Sequence, residues 1–122
     1  LFTDNSFRNN GLPLNRFNDI GRQKITGLSI DSLKFKVPSL RNIQLTYPYM
    51  HDGSIFSVLQ VIDHYIAKST IHPPGLDSSL QKPIVLNKTQ KNELVYFLYT
   101  LTDTAFTKNK RFAPEGPVYF KH

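Results

Sequence analysis

The residues best suited to chemistry crowd into one stretch, Phe35 to Gly53, where Arg41, Met50, His51 and Asp52 offer a guanidinium, a thioether, an imidazole and a carboxylate. Thioether, imidazole and carboxylate can each ligate a metal, and guanidinium recognises carboxylates through paired hydrogen bonds. The stretch follows neither the helical nor the strand period of apolar residues. Pro38 and Pro48 fix their own φ and push Val37 and Tyr47 toward extended conformations, while Gly53 tolerates positive φ at the end. It reads as a structured functional loop.

Such a loop needs elements to hold it. Residues 1 to 34 are rich in Asn, Asp, Gly and Ser and are punctuated by turn signals at Asn10-Gly11, Gly21 and Gly27. At most one short helix, over Leu14 to Ile20, fits there. A loop of that length suggests a segment that wraps a cofactor or another part of a larger protein. After the central loop, Ser57 and Gln60 form a capping box that opens an amphipathic helix of about three turns, with Val58, Leu59, Val61, Ile62, Tyr65 and Ile66 as its apolar residues. Lys68 near its end suits the helix dipole.

His72-Pro73-Pro74-Gly75 and Lys82-Pro83 mark a further loop. Asn87 and Gln90 then start a second helix that runs to about Leu101, with Leu94, Phe97, Leu98 and Leu101 on one face. The tail from Asp103 is irregular, and Phe112, Val118, Tyr119 and Phe120 are expected to pin it back. Two helices and no convincing strand pair give a mainly α class with few helices and long loops.

With 122 residues, 39% of them hydrophobic, positions 1–122 make one domain with a modest core. The formal charge of +6 permits acidic partners without selecting one. Lys108, Lys110 and Arg111 are too short a run for a nucleic-acid arm, so no nucleic-acid partner is expected. No apolar run approaches the roughly 18 residues of a membrane span. There are no cysteines, so neither a disulfide nor a thioether bond to haem can come from these residues. Few helices around a small core are tolerable when a large apolar cofactor supplies part of that core.

The string Phe35-Lys36-Val37-Pro38-Ser39-Leu40-Arg41-Asn42, followed by Leu45-Thr46-Tyr47-Pro48-Tyr49-Met50-His51-Asp52-Gly53, resembles the signature of the C-terminal haem domain of bacterial di-haem cytochrome c peroxidases and the MauG family. Leu1-Phe2-Thr3-Asp4, Asn9-Asn10-Gly11-Leu12, Gly21-Arg22, Thr26-Gly27, Val61-Ile62-Asp63-His64-Tyr65 and the run Glu93 to Thr102 extend the resemblance over nearly the whole chain. It implies a cytochrome c-like haem domain whose C-x-x-C-H attachment motif, absent from these residues, would precede Leu1. The chain then reads as the downstream piece of a longer protein.

The resemblance also implies roles. Methionine or tyrosine can serve as the axial ligand opposite the proximal histidine. Met50 is the only methionine, but the family's distal position lies in the following helix and matches Tyr65, which is preferred, leaving Met50 to pack near the porphyrin. Arg41 is expected to anchor a haem propionate or the loop, and His51 to lie near the region between two haems as a catalytic candidate. Thr46 and Pro48 match positions whose carbonyls bind calcium. His64, His72 and His122 are read as surface residues.

The implied cofactors are haem c and calcium, and the implied activity is periplasmic reduction of hydrogen peroxide. The expected partners are an N-terminal haem domain of the same protein, a small electron donor such as a cytochrome c or cupredoxin, and as a further candidate a second copy of the chain. The alternatives are a mono-haem electron carrier or a haem-free binding module on the same scaffold.

Overall fold

The computed structural model describes residues 2–112. The two helices signalled by the sequence are realised as α2 (Val58–Ile71) and α3 (Lys88–Thr100), introduced by a short helix α1 (Gln23–Thr26) and followed by α4 (Thr104–Thr107). The strand pairing is minimal: β1 (Phe7–Arg8) lies antiparallel to β2 (Phe35–Lys36), with Phe7 opposite Lys36. This small pairing was not expected from the sequence. It ties the N-terminal loop to the start of the central loop.

Both long helices start as their sequences dictate. The Ser57 side chain accepts a hydrogen bond from the Gln60 amide, and Gln60 Oε1 reaches back to the amide of Phe56. At α3 the box closes fully, Asn87 accepting from the Gln90 amide while Gln90 accepts from Asn87. Lys68 occupies the last turn of α2, and His72 ends that helix in a left-handed conformation.

No helix forms over Leu14 to Ile20. Asn15 Oδ1 takes the Phe17 amide and Asn15 O takes the Asn18 amide, and Asn18 then adopts φ 52°. A short polar side chain competes with helix formation by capturing backbone donors locally. The helical turn of this region sits later, at α1.

The core lies where α2 crosses α3. Val58, Ile62 and Leu98 are its buried residues, and Ile43, Tyr49, Ile66, Leu86, Val95 and Leu101 pack against them. Leu94 and Phe97, expected on the buried face of α3, are exposed, because the helix turns Val95, Leu98 and Leu101 toward α2 instead. Lys91 and Asp63 add an ion pair of 2.7 Å between the two helices, on the solvent side where such pairs stabilise little. Among the described residues no helix is long and apolar enough to cross a membrane. The expected pinning of the tail falls on side chains outside the described residues.

Candidate functional site

The central loop is fastened at every stage of its path. Phe35 and His51 stack with ring centroids 3.6 Å apart, so the beginning and end of the motif meet. Asn42, at φ 60°, donates from its amide to Leu101 O and accepts the Asp103 amide at Oδ1, fixing the loop to the end of α3. Tyr49 pairs with Ile55 and sends its hydroxyl to Ile43 O at 2.8 Å. Met50 takes a left-handed φ of 70° in the turn so closed, and Asp52 Oδ1 accepts the Ser54 amide. Asp52 is thereby committed to the turn.

Tyr65 is half-buried on α2, one turn after the buried Ile62. Its hydroxyl has no hydrogen-bond partner among the described residues, in contrast to that of Tyr49. A half-buried phenol whose oxygen is left free suits an axial ligand. Met50 is placed differently: its sulfur accepts the Asn10 side-chain amide at 3.2 Å.

His64 is not the surface residue read from the sequence. Its Nε2 lies 2.9 Å from the Asn10 carbonyl oxygen, and its ring meets Tyr65 edge-on with centroids 5.6 Å apart. Burial pushes its pKa down, aided by the nearby Lys68 charge and opposed by the hydrogen bond to Asn10. His72 is exposed as expected, and His122 lies outside the described residues.

Arg41 is exposed and borders a shallow depression of about 420 Å³ together with Phe2 and residues 100–105. Neither Tyr65 nor Met50 borders it, so the structure does not bring Arg41 into one cavity with them. Thr46 and Pro48 are exposed, and Tyr47-Pro48 is a cis peptide. Their carbonyl oxygens accept no hydrogen bond among the described residues, which leaves them free for a hard cation. Among the described residues no three His, Cys, Asp or Glu side chains cluster as a metal site.

A second depression, of about 760 Å³, lies elsewhere, between residues 29–34 and 72–78. None of the candidate ligands borders it. A better indicator of a missing apolar group is the surplus of exposed hydrophobics, among them Phe2, Phe7, Leu14, Phe17, Leu28, Leu45 and Phe56. A haem fits such a chain: few apolar residues are buried and many are uncovered.

The segment carrying Asn10 is held by charge as well as packing. Arg8 bridges Asp4 at 2.7 Å and Asp77 at 3.0 Å, and the Asp77 amide donates to Asn9 O. Desolvation pushes the Asp77 carboxyl up, but hydrogen bonds from the Ser79 hydroxyl and amide, with the Arg8 guanidinium, outweigh it and hold the pKa below 3.8. A carboxyl depressed in the folded state contributes stability above the unfolded value, and that stability is lost as pH falls through the folded one. Asp77→Asn is therefore expected to lower the thermal midpoint at neutral pH, with the gap to wild type closing below pH 3.8. A gap that persists unchanged in acid would assign the effect to packing.

The fold is that of a mainly α, cytochrome c-like domain. The comparisons place it more closely. The chain is 41% identical to the methylamine utilization protein MauG of Methylorubrum extorquens over 102 residues, covering 82% of this chain and 28% of that protein. It is 38% identical over 82 residues to a cytochrome c551 peroxidase of Nitrosomonas europaea, covering 67% of this chain and 21% of that one. The crystal structure of a MauG-like protein associated with microbial copper homeostasis superposes with a TM-score of 0.74 at 37% identity, covering 88% of this chain and 38% of that chain. No family model matches. The chain belongs to the family of MauG proteins and di-haem cytochrome c peroxidases, an oxidoreductase family whose members imply haem c. It spans about a third or less of the curated MauG relatives it matches, 28% of one and 33% of another.

Sequence reasoning gave Asn10 no role beyond a turn and the family resemblance, and it dismissed His64. The one local signal for His64 was its position next to Tyr65 on the helix.

Proposed function

We propose that this segment is the electron-relay haem domain of a periplasmic di-haem cytochrome c peroxidase of MauG-like ligation, with Tyr65 as the distal axial ligand. The observation that carries the reading is the contrast between two candidates. Tyr65 is half-buried and its hydroxyl has no partner among the described residues, whereas the Met50 sulfur is engaged by Asn10. Haem, when bound, supplies the one-electron and peroxide chemistry of such proteins.

This chain's residues prepare the place for it. An anionic phenolate oxygen favours the ferric state and lowers the potential. Arg41, unpaired with any carboxylate in the described residues, is suited to a haem propionate, and the free Thr46 and Pro48 carbonyls to calcium. His51, stacked on Phe35, is in this reading near the boundary with an N-terminal domain in which hydrogen peroxide is reduced. A small cytochrome c or cupredoxin is the electron donor in this reading, consistent with the chain's +6 charge.

In the full-length, haem-loaded protein, Tyr65→Phe is expected to change the ferric absorption spectrum of one haem and raise its potential. Met50→Leu is expected to leave both unchanged. An unaltered spectrum in the tyrosine variant would overturn the assignment.

A further inference from the structure

Two side chains from distant parts of the chain, His64 and Met50, converge on Asn10. Its backbone carbonyl accepts from His64 Nε2 at 2.9 Å, and its side-chain amide donates to Met50 Sδ at 3.2 Å. Its Oδ1 accepts the Leu12 amide. A carbonyl oxygen can only accept, so His64 carries hydrogen on Nε2.

Asn10 itself has little freedom. The preceding Asn9 is buried, and its Oδ1 accepts the Gly11 amide. A Cβ on Gly11 would stand 3.0 Å from both Lys68 Cγ and Pro73 Cγ, so the loop runs directly against the end of α2. The His64 ring is thus tethered to a firmly seated carbonyl, and it meets the Tyr65 ring at an interplanar angle of 86°. An edge-to-face neighbour that cannot swing restricts the rotation of the ring it meets.

We propose that His64 is a positioning residue that fixes the Tyr65 phenol, and that Asn10 completes the selection of ligand by keeping the Met50 thioether engaged. The inference rests on the reading of Tyr65 as the iron ligand and deepens it. A thioether and a phenol near one haem are competing ligands, and the arrangement around Asn10 ties up the first while orienting the second.

The test uses the full-length, haem-loaded protein and the electron paramagnetic resonance and absorption spectra of its ferric state. His64→Phe keeps a ring but loses the N–H, and His64→Gln keeps a donor but loses the ring. Each is expected to produce a second ferric species reaching about a tenth of the haem. Asn10→Ala, which retains the carbonyl and frees Met50, is expected to do the same, and adding Met50→Leu to it to remove that species.

Superimposable spectra in both His64 variants, alongside a changed spectrum in Tyr65→Phe, overturn the positioning role and leave the ligation intact. An unchanged spectrum in Tyr65→Phe removes the ligation and this inference together. Should His64→Phe fail to fold, His64→Gln and Asn10→Ala carry the decision, and wild-type spectra in both overturn the inference.

Discussion

Truncating Ile62 to alanine is expected to weaken the packing of α2 on α3 by about 2–4 kcal/mol, the range seen when a buried isoleucine is replaced by alanine. Ile62 is 6% exposed and shares the core cluster with only two other buried residues, Val58 and Leu98. The residues packed around it are anchored in other elements, so the cavity is not closed by small shifts. Ile43 and Tyr49 approach from the central loop, Leu86 from the segment before α3 and Val95 from the middle of that helix, so any collapse moves the loop. The gain in helix propensity from alanine, about 0.5 kcal/mol, is too small to offset this.

Amide hydrogen exchange of α2 and α3 in the full-length protein reads the loss directly, since exchange from a packed helix reports its local opening free energy. Ile25→Ala provides the contrast: Ile25 is 89% exposed, and its truncation is expected to alter stability by no more than about 0.5 kcal/mol. Equal exchange in the Ile62 variant and wild type would show that the cluster is not what holds α2. Because Tyr65 follows Ile62 by one turn, the same variant is also expected to perturb the phenol's position.

What the sequence made legible was local. Ser57 with Gln60 and Asn87 with Gln90 announced both long helices, because a cap is written within four residues and the apolar spacing after it within a few turns. The prolines and Gly53 likewise marked the central stretch as a loop. Its fastenings were not legible: Asn10 to Met50, Asn10 to His64 and Asn42 to Asp103 each join residues at least forty positions apart. Nothing in a local period encodes such a contact. The reading of His64 failed for a related reason. The apolar pattern of α2 pointed to an amphipathic helix with His64 on its exposed side, whereas the N-terminal loop reaches that side and takes in His64.

The absent helix at Leu14 to Ile20 shows the limit from the other direction. Its apolar residues are spaced well enough, yet Asn15 captures the Phe17 amide and Asn18 turns left-handed, so competing side-chain hydrogen bonds decide the backbone. The family signature carried further than these physical signals because it records the outcome of long-range packing. The positions matched to calcium and to the iron remain proposals, supported by free carbonyls at Thr46 and Pro48 and a free phenol at Tyr65.

Gly11→Ala is expected to cost about 2–4 kcal/mol, combining a left-handed backbone penalty of about 1–2 kcal/mol with overpacking. Gly11 has φ 79°, and an added Cβ would meet Lys68 Cγ and Pro73 Cγ at 3.0 Å and Leu76 Cδ1 at 3.1 Å. The lysine stem can move aside, but the proline ring and the buried Leu76 cannot do so without displacing the loop from α2. Gly27→Ala separates the two effects, since Gly27 also has a left-handed φ of 71° but nothing within 4 Å of the added atom. Its loss is expected to be the backbone penalty alone. Thermal unfolding of both variants in the full-length protein gives the comparison, and the excess for Gly11 measures how firmly the loop is seated on α2. Equal losses would mean that the loop yields easily, and the Asn10 carbonyl would then be too mobile to hold His64 against Tyr65.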